Sequence, residues 1–236
     1  MLRRILPGAR VLRERSMTAL TDSRRAVLHR RIRLIVGLTI GYNLIEAVIA
    51  LTAGATASSA ALIGFGLDST IEVLSAAAVA WQFTRREPER WEKPTLRVIA
   101  VAFFALAAWV TVSAALTLTG VWEEPMHSPL GIGVAIVSVI VMPFLSLWER
   151  RTGLELGSAS AIADSKQTLI CTYLSAAVLV GLLLNLWFGW WWADALAALV
   201  IAGFALREGI EAWRGDACAT SVGMLLEDDE HHEHDD

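Results

Sequence analysis

The sequence predicts an all-α membrane protein of six transmembrane helices with both termini cytoplasmic, and three observations carry that expectation. Hydrophobic residues make up 55% of the 236, and mean hydropathy is +0.52, too apolar for a soluble chain of this size. The apolar residues gather in runs of about 20, the length of helix that crosses a hydrocarbon layer. The 20 Lys and Arg lie in the terminal segments and in or beside alternate connections between those runs.

Residues 1–33 read as a basic cytoplasmic arm. Charges interrupt its leucines, so no signal-peptide core forms. The first span covers 34–53 and contains Asn43 and Glu46. A short uncharged turn, 54–59, leads into the second span, 60–83. Residues 84–94, rich in Arg, Glu and Pro, read as a polar loop. The third span, 98–119, has no ionisable side chain, and an acidic loop follows at 120–128. The fourth, 129–148, is also free of charge, with Pro143 expected to kink it. A polar connection at 149–157 precedes the fifth span, 160–186; the sixth covers 192–206. Residues 207–236 form a cytoplasmic tail that ends in the acidic, His-rich stretch 227–236, a candidate for weak metal collection or a plain solvated end.

Orientation follows from the basic residues. Ten lie in the arm, five in 84–97 and two in 149–158, while 54–59, 120–128 and 187–194 hold none. The first set of connections should face the cytoplasm. Trp187, Trp190, Trp191 and Trp192 then form an interfacial belt on the outer side. The two cysteines, Cys171 in a span and Cys218 in the tail, do not make a disulfide framework. No nucleotide-binding loop or soluble catalytic domain is visible, so neither an enzyme nor an ATP-driven pump is expected. No nucleic-acid partner is expected either; the solvent partner is the lipid bilayer.

The chemistry centres on Gly64–Ser75, which carries Asp68 and Glu72 within the second apolar run. Four residues apart on a helix, the two carboxylates share a face one turn apart. Acids at this depth are costly and usually face a bundle interior where a proton, a partner or a cation compensates them. The structural alternative is helix packing through protonated acids or an ion pair with Lys166. Spans one, two and five carry the polar groups and should line one cavity. Counted from the basic side, Glu46 lies 13 residues in, Asp68 15, Glu72 11 and Cys171 11. At 1.5 Å per residue these agree in depth within roughly 6 Å. On span five, Asp164, Gln167, Thr168 and Cys171 share one face, while Lys166 points elsewhere and can snorkel to the interface.

The six-span plan resembles the cation diffusion facilitator (cation efflux) family, whose spans two and five bind a divalent metal through polar pairs. Asp68-x-x-x-Glu72 is similar to the family's Asp-x-x-x-Asp or His-x-x-x-Asp. Ala163-Asp164-Ser-Lys-Gln167-Thr-Leu-Ile-Cys171 resembles its Ala-Asp-x-x-His-x-x-x-Asp, with Gln167 in place of His and Cys171 in place of Asp. Trp192-Ala-Asp194 is similar to the opening of its sixth span.

The resemblance implies a cation-efflux bundle in the plasma membrane, a secondary transporter exporting a divalent transition metal by proton antiport, and a homodimer. It implies Asp68, Glu72 and Cys171 as ligands, with Gln167 or Asp164 completing the shell and Glu46 ligating or relaying protons. No prosthetic group is implied; the cargo is Zn²⁺ first, with Cd²⁺, Co²⁺, Ni²⁺, Fe²⁺ or Mn²⁺ as alternatives. Thiolate with carboxylate suits Zn²⁺ and Cd²⁺ better than Mg²⁺. Only 22 residues follow Arg214, so a short form without the family's cytoplasmic C-terminal domain is expected. Two other functions fit the residues: a non-transporting metal sensor or buffer, and a proton-coupled carrier of another small solute.

Overall fold

The structure, a computed structural model, describes residues 22–83, 88–156 and 159–214. Among these residues there are six helices: α1 Asp22–Ala57, α2 Ala60–Phe83, α3 Pro88–Leu118, α4 Pro129–Leu156, α5 Ala159–Phe188 and α6 Trp192–Arg214. Among the described residues there is no strand.

Local chemistry sets the helix ends. Ser59 and Ser128 stand just before α2 and α4, and their hydroxyls accept from the backbone N–H of Leu62 and Gly131, each at 3.1 Å. Each thereby satisfies a donor that a first helical turn leaves unpaired. Pro88 and Pro129 open α3 and α4, where the missing N–H costs nothing. Gly189 ends α5 with φ of 65°, and the next N–H, that of Trp190, reaches back to the Leu184 carbonyl at 3.4 Å.

The helices outrun the expected spans at the basic side. The polar loop expected over 84–94 is helical from Pro88, and α4 continues through the expected connection to Leu156. The last part of the arm, from Asp22, is helical and continuous with the first span. Glu, Arg and Leu are good helix formers, so polarity there marks the exit from the membrane and not the end of the helix. Residues 1–21 and 215–236, with Cys218 and the His-rich end, lie outside the described residues.

Five helices are long and apolar enough to cross a bilayer by length and composition. The exception, α6, carries Asp194 near one end and Arg207, Glu208, Glu211 and Arg214 toward the other, yet it packs within the same bundle. Around the outside the order is α1, α4, α5, α6 and α3; α2 touches α1, α3, α5 and α6 and occupies the middle. Its apolar stretch is the most enclosed, 56% buried against 39–44% for the other four.

The chain runs up and down. Met126 N–H donates to the Ala57 carbonyl at 2.8 Å, Asn185 Nδ2 to that of Pro125 at 2.9 Å, and Ser59 Oγ to Asp194 at 2.5 Å. These bonds gather the three lysine- and arginine-free connections at one end. At the other end Arg24 pairs with Glu155 at 2.6 Å. Burial is inverted relative to a soluble protein. Leu44, Ile45, Val48, Ile140 and Phe144 are exposed, whereas Asn43, Glu46, Asp68, Glu149 and Asp194 are buried. A lipid exterior explains both halves of that pattern. The chain is a multi-pass integral membrane protein.

The interior is rich in alanine and glycine, so backbones approach closely. A Cβ on Gly54 would lie 2.7 Å from the Ile63 backbone nitrogen, and one on Gly66 would lie 2.9 Å from that of Leu51. Gly54→Ala should therefore separate α1 from α2 and destabilise the protein by about 1–3 kcal/mol. Gly41→Ala, where a Cβ meets nothing within 4 Å, should be neutral or stabilising. Melting of the purified variants in detergent checks this; equal melting temperatures would refute it.

Candidate metal centre

The α1–α2 contact aligns the acids. Steps along α1 are matched by steps back along α2: Gly54 meets Ile63, Leu51 meets Gly66, Glu46 meets Ser69 and Asn43 meets Glu72. The helices are antiparallel, and this register brings two polar knots inside the bundle.

In the first knot, Glu46 is 2% exposed. Ser69 Oγ of α2 donates to its Oε2 at 2.8 Å, and Ser138 Oγ of α4 donates to its Oε1. The Tyr42 hydroxyl lies 2.7 Å from Ser138 Oγ, which extends the chain along α1. In the second knot, Asn43 Nδ2 donates to Glu72 Oε2 at 2.5 Å, and the Cys171 thiol of α5 donates to Glu72 Oε1 at 2.8 Å. This joins one residue each from α1, α2 and α5, the three helices whose polar content predicted a shared cavity.

Asp68 sits one turn from Glu72 and is buried, yet among the described residues none hydrogen-bonds its carboxylate. Its charged neighbours are Glu208 and Glu46, both acids. Among the described residues no Lys or Arg forms an ion pair with Asp68 or Glu46. Lys166 is exposed, as its helical phase predicts. A carboxylate that is dry, surrounded by like charge and without a donor is the arrangement that a cation or a proton relieves.

Not every expected ligand is gathered. Cys171 reaches Glu72, with Asp68 a turn away, but among the described residues no three of His, Cys, Asp and Glu converge on a point. Asp164 and Gln167 fall on α5, the latter one turn before Cys171, and their side chains lie outside the described residues.

Several contributors were not anticipated. The fourth span was expected to be featureless, but Ser138, Met142, Ser146 and Glu149 form a buried stripe along α4. Ser146 Oγ donates to the Ser165 carbonyl of α5 at 2.6 Å, and Thr168 of α5 lies 3.4 Å from Glu149. The signal was there as serines at helical spacing, hidden by attention to ionisable groups alone. Glu149 falls in the polar connection expected at 149–157 and Glu208 in the expected tail, each beside an arginine.

Comparison with known proteins gives the architecture a context. The family model described as the cation efflux transmembrane domain matches residues 36–214. The zinc transporter ZitB of Escherichia coli is 28% identical over 207 residues, which cover 84% of this chain and 63% of ZitB. The cation-efflux pump FieF of Shewanella oneidensis is 33% identical over 85 residues, 36% of this chain and 28% of FieF. An uncharacterized transporter of Methanocaldococcus jannaschii is 26% identical over 199 residues, 80% of this chain and 68% of that protein. The chain thus spans under two thirds of the length of ZitB and of FieF.

Proposed function

This chain belongs to the cation efflux family, and on that premise we propose that it is a secondary transporter exporting a divalent transition-metal cation, Zn²⁺ first, from the cytoplasm in exchange for protons. The observation that carries the reading is the part-buried bond from the Cys171 thiol to Glu72 across α2 and α5, beside the undonated Asp68.

The chemistry follows from protons. A thiol donating to a carboxylate holds a proton where a metal would sit, and both groups must be deprotonated to ligate. Binding a divalent ion between Asp68, Glu72 and Cys171 displaces the thiol proton and leaves three anionic ligands around the ion with a net charge of minus one, against minus two for the metal-free pair of carboxylates with the protonated thiol. Gln167 or Asp164 completes the shell. Glu46, held by Ser69 and Ser138, relays protons beside it. A proton arriving from the outer side weakens the ligands and releases the ion, and rocking of helices about this mid-membrane layer gives alternating access. The name of FieF supports cation efflux and that of ZitB supports zinc as cargo, and thiolate among the ligands supports Zn²⁺ or Cd²⁺ over harder ions. The protein carries no prosthetic group and works in the plasma membrane, with a homodimer as the functional unit.

Reconstitution into liposomes with a zinc-sensitive and a pH-sensitive dye should show metal and proton fluxes in opposite directions. Cys171→Asp should shift preference from Zn²⁺ and Cd²⁺ toward Mn²⁺ and Co²⁺. Unchanged selectivity would remove Cys171 from the ligand set, and absence of flux for all of Zn²⁺, Cd²⁺, Co²⁺, Ni²⁺, Fe²⁺ and Mn²⁺ would defeat the reading.

A further inference from the structure

We propose that Glu208 of α6 is a third carboxylate of the cation path, facing Asp68 and receiving the divalent ion from the arginine-bearing end before it reaches the Asp68–Glu72 layer. This rests on the transport reading above and extends the path to a helix that the expected ligand set omitted.

The placement follows from the packing of α2 and α6. Both helices start at the same end, where Asp194 of α6 accepts from Ser59 Oγ and, at 3.3 Å, from the Ala61 N–H at the start of α2. They run parallel from there. Further in, one turn along α2 and two along α6, a Cβ on Gly64 would lie 3.0 Å from Val110 of α3 and 3.6 Å from the side chain of Ile201 of α6. Asp68 is one turn beyond Gly64 on the same face; Glu208 is two turns beyond Ile201 on the same face. The offset is three residues, about 4.5 Å of rise. A helical side chain leans toward its own N-terminus, which for Glu208 is toward the level of Asp68.

Two further observations point to a cation-binding role. Among the described residues, Glu208 Oε1 is buried with no hydrogen-bond partner, although the residue sits near the polar end of its helix. Asp68 is 7% exposed and receives no hydrogen bond from any described residue, while Glu208 is among the charges acting on it. The charged neighbours of Glu208 on its own helix are Glu211 and Arg207, and Arg207 Nε is directed to Glu211 Oε1 at 2.8 Å. Two acids facing one another across packed helices repel, and an ion between them reverses the sign of that interaction.

Equilibrium binding of Zn²⁺ and Cd²⁺ to the purified full chain, together with liposome flux, tests this. Glu208→Gln should weaken metal binding and raise the apparent KM about tenfold or more, with the maximal rate less affected, and Glu208→Asp should restore part of the affinity. Glu155→Gln, a surface acid paired with Arg24, should match the parent. Unchanged affinity and KM in Glu208→Gln would overturn the inference while leaving the transport reading intact. So would a reduced maximal rate at unchanged affinity, which marks a structural role. If Glu208→Gln fails to fold, Glu208→Asp decides by the same affinity reading. If the parent binds neither ion and carries none of the metals, the transport reading fails first and takes this one with it.

Discussion

Asp68→Asn should abolish metal flux while leaving the protein as stable as the parent, or more so. The two halves of that result come from one observation: Asp68 is buried and receives no hydrogen bond from any described residue. Replacing the carboxylate with an amide of the same shape leaves no described donor stranded, and it removes a charge from the neighbourhood of Glu46 and Glu208. A residue kept only for packing would not behave this way, because its loss would lower stability along with activity. Transport should fall by about a hundredfold or more, since an anionic ligand is lost from a layer that must balance a divalent ion. Glu72→Gln should lose flux as well, but with a drop in melting temperature, because Asn43 and Cys171 both donate to that carboxylate. Zn²⁺ uptake into liposomes, read beside melting in detergent, separates the two. Parent-like flux from stable Asp68→Asn would exclude the residue from the ion path.

The largest structural effect should come from Asp194→Ala. Asp194 is 1% exposed and accepts from the Ser59 hydroxyl at 2.5 Å and the Ala61 N–H at 3.3 Å. It thus satisfies donors at the start of α2 from a different helix, while Ser59 serves Leu62 N–H in turn. Removing the carboxylate strands buried donors and should cost about 2–4 kcal/mol. For a protein of this size that corresponds to a melting shift of roughly 5–15 °C. Asp194→Asn, whose amide oxygen still accepts, should recover much of the loss. If Asp194→Ala melts with the parent, this cross-helix cap does not stabilise the bundle.

What could be read from the sequence divides along a physical line. The number of helices, their order and the ends that share a side follow from the length of apolar runs and the placement of arginines, because a bilayer imposes both. Asp68 and Glu72 stood out for the same reason: hydrocarbon makes an acid expensive, so its presence is informative. Groups near the membrane surface carry no such cost in sequence, so Glu149 and Glu208 did not stand out, and Asp194 stood out only as part of the opening of the sixth span. Their importance arises from which helices the fold places against them. Ser138 was missed differently, since a hydroxyl can bond to its own helix and is unremarkable until Glu46 is found across from it. Helix ends at the basic side were misjudged because charge signals water, and helices continue into water without difficulty.

The bonds that gather the three lysine- and arginine-free connections have a mechanical consequence. Ala57 with Met126, Pro125 with Asn185, and Ser59 with Asp194 lace four helix ends together through short bonds, two of which use buried side chains. Toward the opposite end the described ties join helices in pairs: the exposed Arg24–Glu155 pair links α1 to α4, Ser146 with Ser165 and Thr168 with Glu149 link α4 to α5, and Arg97 lies over the Trp213 ring between α3 and α6. One rim is thus laced right across the bundle, like a basket bound at its base, whereas the other is fastened helix pair by helix pair.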